Sequence, residues 1–365
     1  MAQQTVTIGL MADPGLPEVV ARSVASSVAR DLNRLDGSES VEWRVDVSRE
    51  TFPLTAENEI PFLRHAPGLK CKNGWDYIVY LTDLPRSLDN NSLVCEVDAT
   101  GGTALISLPA FGALWIKSRT RHLLTRLLRS MDIDGSGRSS TAASPGGLGR
   151  KRWRRIQHEN DRNNYDLVLA GPMSRPRLLA GMVRCNRPLG LLPALSSCMA
   201  AAVATGGFGI FYASIWNMSD ALPPLRLAMI SVFVVVAFSI WLIGHNGLWN
   251  PLKGAHSHMR SGLDNVATVI TVGVGVTVMY LVIWALLLAA TIAVVDIEYL
   301  TGDVGHSVNF TNYVDIAWLA SALGMLGGAL GSNFDSENAI SEATYTRREH
   351  VRRQLAKKRE EEDSQ

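Results

Sequence analysis

The sequence predicts an α/β domain, with an open mixed sheet of Rossmann-like type, followed by an all-α bundle of four transmembrane helices. In residues 1–131, short strands with alternating apolar residues are interleaved with amphipathic helices. In residues 189–333, four long apolar runs keep their charged residues at their ends. Between these regions, residues 110–188 hold 16 Lys plus Arg against 5 Asp plus Glu, a basic excess typical of a segment beside a membrane.

The first elements form a β-α-β unit. Apolar residues alternate in residues 5–11 and again in residues 41–47, which predicts two strands. The segment between them, residues 18–35, has the helical spacing of apolar residues. Strands joined by such a crossover are expected to be parallel.

The rest of the domain adds strands and a second long helix. Residues 50–73 read as a loop with a short helix, and residues 75–82 as a buried strand. Residues 93–99 and 103–108 flank Thr100-Gly101-Gly102 and predict a hairpin. Residues 109–131 predict a helix whose apolar face includes Leu114.

A candidate ligand site follows from this order of elements. In open α/β sheets, ligands bind beyond the carboxyl ends of the strands. Those ends offer Asp13, Thr82, Asp83 and Ser107. The alternative is structural, because Asp residues in such turns also cap the turn or the following helix.

A Gly/Ser-rich linker, residues 132–150, leads into a basic juxtamembrane segment, residues 151–188, in which residues 166–170 have the pattern of a further strand. A basic cluster suits anionic lipid head groups, at about 1 kcal/mol per residue near the surface. Nucleic acid is not an expected partner, because no recognition motif is present. The predicted lipid contacts are Arg150, Lys151, Arg152, Trp153, Arg154 and Arg155.

Four spans are predicted at about residues 189–215, 227–244, 266–295 and 314–331. Each approaches or exceeds the roughly 20 apolar residues that cross a bilayer. Lys and Arg concentrate before the first span, between spans two and three, and in the charged tail helix, residues 334–365. The positive-inside rule therefore predicts a multi-pass protein of the cell membrane with both termini in the cytoplasm.

Small residues share one face of the fourth span at a spacing of four: Ala320, Gly324, Gly328 and Ser332. Such a stripe lets another helix approach closely. Packing within one bundle is the favoured interpretation, and homo-oligomerisation through this span is the alternative.

The sequence points to no catalytic residue, metal site or identifiable cofactor. The turn after the first strand, Asp13-Pro14-Gly15-Leu16-Pro17, lacks the glycines of a dinucleotide site, and no Walker A sequence occurs. His245, His256 and His258 cluster in one loop, without a carboxylate or cysteine at the spacing of a metal site.

Three stretches carry a family resemblance: T-D-L-P at Thr82 to Pro85, S-L-P-A-F-G at Ser107 to Gly112, and L-L-A-G-M-V-R-C-N-R-P at Leu178 to Pro188. Placed ahead of four spans, they resemble uncharacterised actinobacterial membrane proteins with an N-terminal cytoplasmic α/β domain. The resemblance covers most of the chain and implies this layout without an established activity. Some such proteins carry a methylenetetrahydrofolate dehydrogenase label, but this domain has neither a glycine fingerprint nor a suitable lysine for that chemistry.

Three functions are compatible with this layout. The first is a scaffold, sensor or partner-binding component at the inner membrane face, which fits the missing catalytic motifs. The second is a membrane-anchored enzyme or small-ligand-binding protein that uses the strand ends. The third is a channel or lipid carrier formed by the spans, and the lack of charged residues deep in the spans argues against a proton relay.

Overall fold

The computed structural model describes residues 4–36, 41–55, 60–88, 91–131, 153–158, 161–249 and 258–331. Within these ranges the chain forms two compact units, residues 4–185 and residues 186–331. The linker at 132–150, the tail at 334–365, and Arg150, Lys151, Arg152, His256 and Ser332 lie outside the described residues.

The first unit begins with the predicted β-α-β arrangement. Strand β1 (Gln4–Ala12) is followed by helix α1 (Leu16–Asp36) and strand β2 (Val41–Arg49). The two strands are parallel, with Ile8 opposite Val45, which confirms the expectation from the crossover. Helix α1 buries Val20, Val24 and Val28, because their spacing places them on one face.

The centre of the sheet is a fully buried strand with an aromatic cluster beside it. Helix α2 (Phe62–Asn73) precedes strand β3 (Tyr77–Thr82), which pairs in parallel with β1 and with strand β6 (Thr103–Ser107). The ring of Tyr80 on β3 contacts Phe52 at 5.0 Å and Phe62 at 5.2 Å between centroids. These contacts join α2 and the loop before it to the sheet.

The other half of the sheet is antiparallel. Strand β5 (Asn91–Asp98) forms the predicted hairpin with β6 and also pairs with the short strand β4 (Ser87–Leu88). Beyond the linker, strands β7 (Trp153–His158) and β8 (Asp161–Leu169) join as a second hairpin, and β8 pairs with β5. The order β2-β1-β3-β6-β5-β8-β7 confirms a mixed sheet and extends it beyond residue 131.

The helix predicted from Pro109 begins later. Residues Leu108–Phe111 form a 3₁₀ turn, and helix α3 spans Ile116–Ser130. Gly112 at φ 80° and Trp115 at φ 61° interrupt the helix, because both lie in the left-handed region. Leu114, predicted on the apolar face, is instead 70% exposed.

Helix α4 (Ser174–Asn186) ends the first unit, and the helical unit starts with broken segments. The run predicted as one span, residues 189–215, contains a 3₁₀ turn at Pro188–Gly190 and three helices: α5 (Leu191–Ala194), α6 (Ser196–Ile210) and α7 (Ala213–Ala221). Pro188 and Pro193 remove two amide donors near the first break, and Tyr212 is extended at the second.

Two long apolar helices follow. Helix α8 spans Pro224–His245 and helix α9 spans His258–Val294. Among the described residues these two are long and apolar enough to cross a membrane, and a helix pair bent by 55° around Leu195 would be a third. Helices α10 (Ile297–Val304) and α11 (Phe310–Gly331) complete the unit, and Asp296 caps α10 through the amides of Glu298 and Tyr299. The structure thus shows a helical unit with two or three apolar helices of spanning length.

Helix α8 exposes large apolar side chains along one face while its other face packs in the unit. The buried side includes Val234, Phe238 and Leu242. Exposed apolar faces of this kind are typical of surfaces that contact lipid or another protein. The exposed residues, at helical spacing, are Leu225, Met229, Val232, Phe233, Val236 and Ile240.

The four cysteines all lie in the described residues, form no disulfide there, and differ in exposure. Cys71 on α2 is exposed, whereas Cys95, Cys185 and Cys198 are buried. Burial and the neighbouring carboxylates of Glu96 and Asp166 raise the pKa of the Cys95 thiol, so it remains protonated and unreactive at neutral pH.

We therefore expect one fast equivalent of maleimide labelling on the folded protein, at Cys71. The variant Cys71→Ser should lose this equivalent, and denaturant should reveal the other three. Mass spectrometry after a short labelling pulse measures both. Fast labelling of Cys95 in the folded chain would contradict this burial pattern.

Candidate functional site

The four residues predicted at the strand ends come together at one edge of the sheet. Ala12 and Leu81 are paired in register, as are Thr82 and Ser107, so Asp13, Thr82, Asp83 and Ser107 follow or end adjacent strands. All four are at most 1% exposed. Their use as a ligand site stays a prediction, and Asp13, Thr82 and Ser107 form hydrogen bonds within the fold.

Two of these residues hold the turn after β3. Thr82 Oγ1 accepts a hydrogen bond from the Leu84 amide at 3.1 Å, and Ser107 Oγ donates to the Leu84 carbonyl at 2.7 Å. Both backbone groups of Leu84 are thereby bonded, which a buried turn requires. These hydroxyls act here as structural groups.

Asp13 connects the start of α1 to the aromatic cluster. The Tyr80 hydroxyl donates to Asp13 Oδ1, and the Asp13 carbonyl accepts from the Glu18 amide at 3.1 Å. The 3₁₀ turn that follows Ser107 is itself buried, including Pro109 and Phe111, and the backbone of Pro109 touches Gly181 on α4. Because the four side chains are at most 1% exposed, a ligand could reach them only if the surrounding structure moved.

An open polar cleft lies elsewhere on the same unit, and sequence reasoning missed it. It has a volume of about 340 Å³ and lies between the start of α2 and strands β5 and β8. Its charged groups come from four parts of the chain. Its lining includes Thr55, Ile60, Pro61, Arg64, Arg86, Glu96, Asp98, Asn164 and Asp166.

The electrostatics of this cleft depend on strand register. Glu96 on β5 lies directly opposite Asp166 on β8, so two carboxylates occupy neighbouring positions on one face of the sheet. Like charges placed this way repel each other. Arg86 offsets the repulsion, because its Nη1 atom lies 2.5 Å from Glu96 Oε2, with the two side chains only 13% and 21% exposed.

The cleft therefore presents both signs of charge. Glu96, Asp98 and Asp166 supply three carboxylates, and Arg86 and Arg64 supply two guanidinium groups. Part of the Asp98 carboxylate binds its own turn, since Oδ1 accepts from the Gly101 amide at 2.8 Å. Among the described residues no group of three or more His, Cys, Asp or Glu side chains is arranged for a metal ion.

A signal for this cleft was present in the sequence. Acidic residues alternate at Glu96 and Asp98, and Asn164 and Asp166 repeat the spacing, so each pair lies on one face of its strand. The pairing of these strands could not be inferred, because a 21-residue stretch from 132 to 152 separates the β8 hairpin from the preceding helix.

The last three residues of the basic cluster lie in β7, which is an edge strand of the sheet. Trp153, Arg154 and Arg155 begin β7, so successive side chains alternate between the faces of the sheet. Arg155 stacks over the Tyr165 ring at 3.8 Å, while both arginines remain exposed. Lipid contact by this segment stays a prediction.

The small residues of α11 lie against α6. A Cβ added at Gly324 would lie 2.5 Å from the Ala202 carbonyl oxygen, and one at Gly328 would lie 2.7 Å from that of Cys198. Ala320 contributes a carbonyl close to Gly206. This face of α11 is thus occupied within one chain.

A polar cluster connects α7, the loop after α10 and the start of α11. His306 Nε2 lies 2.9 Å from Asp220 Oδ2, and the Asn312 amide donates to Asp220 Oδ1 at 2.9 Å. The hydrogen bond to Asp220 raises the pKa of His306 above 6.5. A raised pKa means that this contact stabilises the fold fully below pH 6.5 and less as the pH rises through the folded-state pKa.

We accordingly expect the NMR titration midpoint of His306 to lie above 6.5 and to move towards 6.5 in Asp220→Asn. The signal is assigned from its loss in His306→Gln. An unchanged midpoint in Asp220→Asn would show that the carboxylate does not set this pKa.

Comparison with known protein families, with curated proteins and with solved structures finds no match. A ligand for the cleft can therefore be proposed only from the chemistry of its own residues.

Proposed function

We propose that this chain is a multi-pass membrane protein whose α/β unit acts at the inner face as a sensor, binding a small zwitterionic ligand in the cleft between α2 and strands β5 and β8. The observation that supports it most directly is the placement of Arg86 beside the opposed carboxylates Glu96 and Asp166 in an open cleft. Ligand occupancy would then be passed to a protein partner.

The membrane part of the proposal draws on the apolar face of α8. Residues such as Leu225, Phe233 and Ile240 are 74%, 67% and 66% exposed, and lipid is the solvent that suits them. We propose four spans built on the α5–α6 segment, α8, α9 and α11. Helix α11 is included because it has 22 residues, the same number as α8, and because it packs closely on α6.

The proposed topology places both termini in the cytoplasm, with α7 and α10 outside. In intact cells, Asp303→Cys should react with a membrane-impermeant maleimide, whereas Leu35→Cys should react only after permeabilisation, both in a Cys71→Ser background. The reverse pattern would overturn the orientation. Extraction of the chain by buffer without detergent would overturn the membrane assignment itself.

The ligand class follows from the charges of the cleft. An ammonium group can bind the carboxylates of Glu96 and Asp166, and an anionic group can bind Arg64, which is exposed at the rim. A cleft of this volume fits a small molecule rather than a polymer. Nucleotides fit poorly, because their phosphates would approach three carboxylates.

The test is a thermal shift of the full chain in detergent against free amino acids, simple amines and nucleotides. We expect stabilisation by an amino acid or amine that disappears in Asp166→Asn and persists in Asp46→Asn, which changes an exposed carboxylate on β2. Stabilisation by nucleotides alone, or by none of these compounds, would contradict the proposed ligand class.

The other functions have less support. An enzyme or ligand site at Asp13, Thr82, Asp83 and Ser107 would require four buried side chains. Those of Asp13, Thr82 and Ser107 already form hydrogen bonds within the fold. Homo-oligomerisation through Gly324 and Gly328 would need a face that already contacts α6. Contact of Arg150 to Arg155 with anionic head groups is compatible with the sensor and would hold its basic strand near the bilayer.

A further inference from the structure

We propose that Leu114, Trp115 and Met173 form a membrane-docking surface on the α/β unit, which we call the Trp115 patch, and that its partner is an anionic lipid bilayer. The inference rests on the membrane attachment proposed above. It adds a second, reversible contact that is distinct from the basic segment at Arg150 to Arg155.

The patch consists of large apolar side chains that the fold leaves in solvent. Leu114 is 70% exposed, Trp115 is 75% exposed and Met173 is 62% exposed. Trp115 also has φ 61°, a conformation that costs free energy for a residue other than glycine. The backbone thus holds an indole outwards at a position where a helix would otherwise begin.

The two chain segments that carry the three residues are tied together at a shared oxygen. Arg119 Nη1 and Arg177 Nε both donate to the Phe111 carbonyl, the latter at 3.1 Å. The Arg119 amide bonds to the Trp115 carbonyl and the Arg177 amide to the Met173 carbonyl. Trp115 thus lies one helical turn before Arg119, and Met173 lies one turn before Arg177. Both arginine side chains bond to the same atom, the Phe111 carbonyl oxygen.

The surroundings of the patch are cationic. Residues 109–131 and 167–187 contain no Asp or Glu. Lys117 and Arg175, each two residues from a patch member, are exposed. Exposed Trp and Leu beside Lys and Arg have the composition of a surface that inserts its apolar tips at the headgroup boundary of an anionic membrane.

A bilayer is also within reach of the patch along the chain. Helix α4 begins directly after Met173, has 13 residues and ends at Asn186, where the helical unit starts. This length corresponds to about 20 Å. An acidic protein would suit the cations but not three exposed apolar side chains, so lipid is the better partner.

The test uses the full chain in nanodiscs, in a Cys71→Ser background, with an NBD fluorophore attached at Leu114→Cys. We expect lipids with a nitroxide on the acyl chain to quench about half or more of the emission in nanodiscs rich in anionic lipid, and less in zwitterionic ones. The matched control is Leu35→Cys, a leucine that is 51% exposed at the end of α1. It should remain unquenched in both.

A charge variant tests the electrostatic part. Lys117→Glu should lower quenching at position 114 in anionic nanodiscs, whereas Lys72→Glu, on exposed α2, should not. Equal quenching at 114 and 35 would overturn the patch. An increase in emission at position 114 without quenching by nitroxide lipids would also overturn the patch, because it would show that position 114 contacts protein rather than lipid. A chain that fails to enter nanodiscs would instead refute the proposed function.

Discussion

Arg86→Leu should lower the free energy of unfolding of the α/β unit by about 3 kcal/mol at neutral pH. The substitution removes the cation 2.5 Å from Glu96 and leaves Glu96 and Asp166 opposed on adjacent strands with little solvent around them. Uncompensated charges in such a place cost more than the ion pair itself contributed.

The measurement is urea unfolding of the full chain in a Cys71→Ser background, followed by pulse labelling of Cys95, which is buried beside Glu96. Arg44→Leu is the control, because it breaks an exposed pair with Asp46 that should contribute at most about 1 kcal/mol. Glu96→Gln should restore part of the stability of Arg86→Leu. Equal losses in the two arginine variants would show that the cleft pair is no more important than a surface pair.

Gly324→Leu should destabilise the helical unit by about 2–3 kcal/mol. Its Cβ would lie 2.5 Å from the Ala202 carbonyl oxygen and 3.1 Å from the Gly206 backbone, so the two helices would have to separate. Polar backbone cannot move aside as the end of a flexible side chain can. Separation of α6 from α11 would also remove the contact between Gly328 and Cys198.

Gly207→Leu on α6 is the matched control, since nothing lies within 4 Å of the Cβ position there. Thermal unfolding in mild detergent compares the two, and size-exclusion chromatography reports the oligomeric state. We expect only Gly324→Leu to unfold early. If it instead changed the oligomeric state at unchanged stability, α11 would pack against a second chain rather than against α6.

Local patterns predicted much of the α/β unit. Helix α1 and five strands could be predicted: β1, β2, β3, β5 and β6. Each packs against the core, so its own residues show the helical spacing, the alternation or, for β3, the continuous apolar run that burial requires. The start of α3 could not be predicted, because Gly112 and Trp115 adopt left-handed conformations after Phe111, whose carbonyl is bonded by Arg119 and by the distant Arg177. Tertiary contacts decided that boundary.

The candidate sites show the same division. Sequence order correctly placed Asp13, Thr82 and Ser107 on one sheet edge, but their near-complete burial depends on tertiary packing that the local pattern does not contain. The cleft required the pairing of Glu96 with Asp166 across the linker. In residues 189–215, the prediction of one span was based on the apolar composition alone. Composition does not show where a helix is interrupted, so the breaks at Leu195 and Tyr212 were missed.

The late arrival of β8 has a consequence for biosynthesis. Residues 161–169 must leave the ribosome before β8 can cover its side of β5, and the first apolar run begins about twenty residues afterwards. Until then this side of β5 is an open edge that other nascent chains could pair with. In the membrane topology proposed above, completion of the sheet and delivery to the insertion machinery would fall within the same short interval of translation, and a pause after residue 169 would favour the correct order of events.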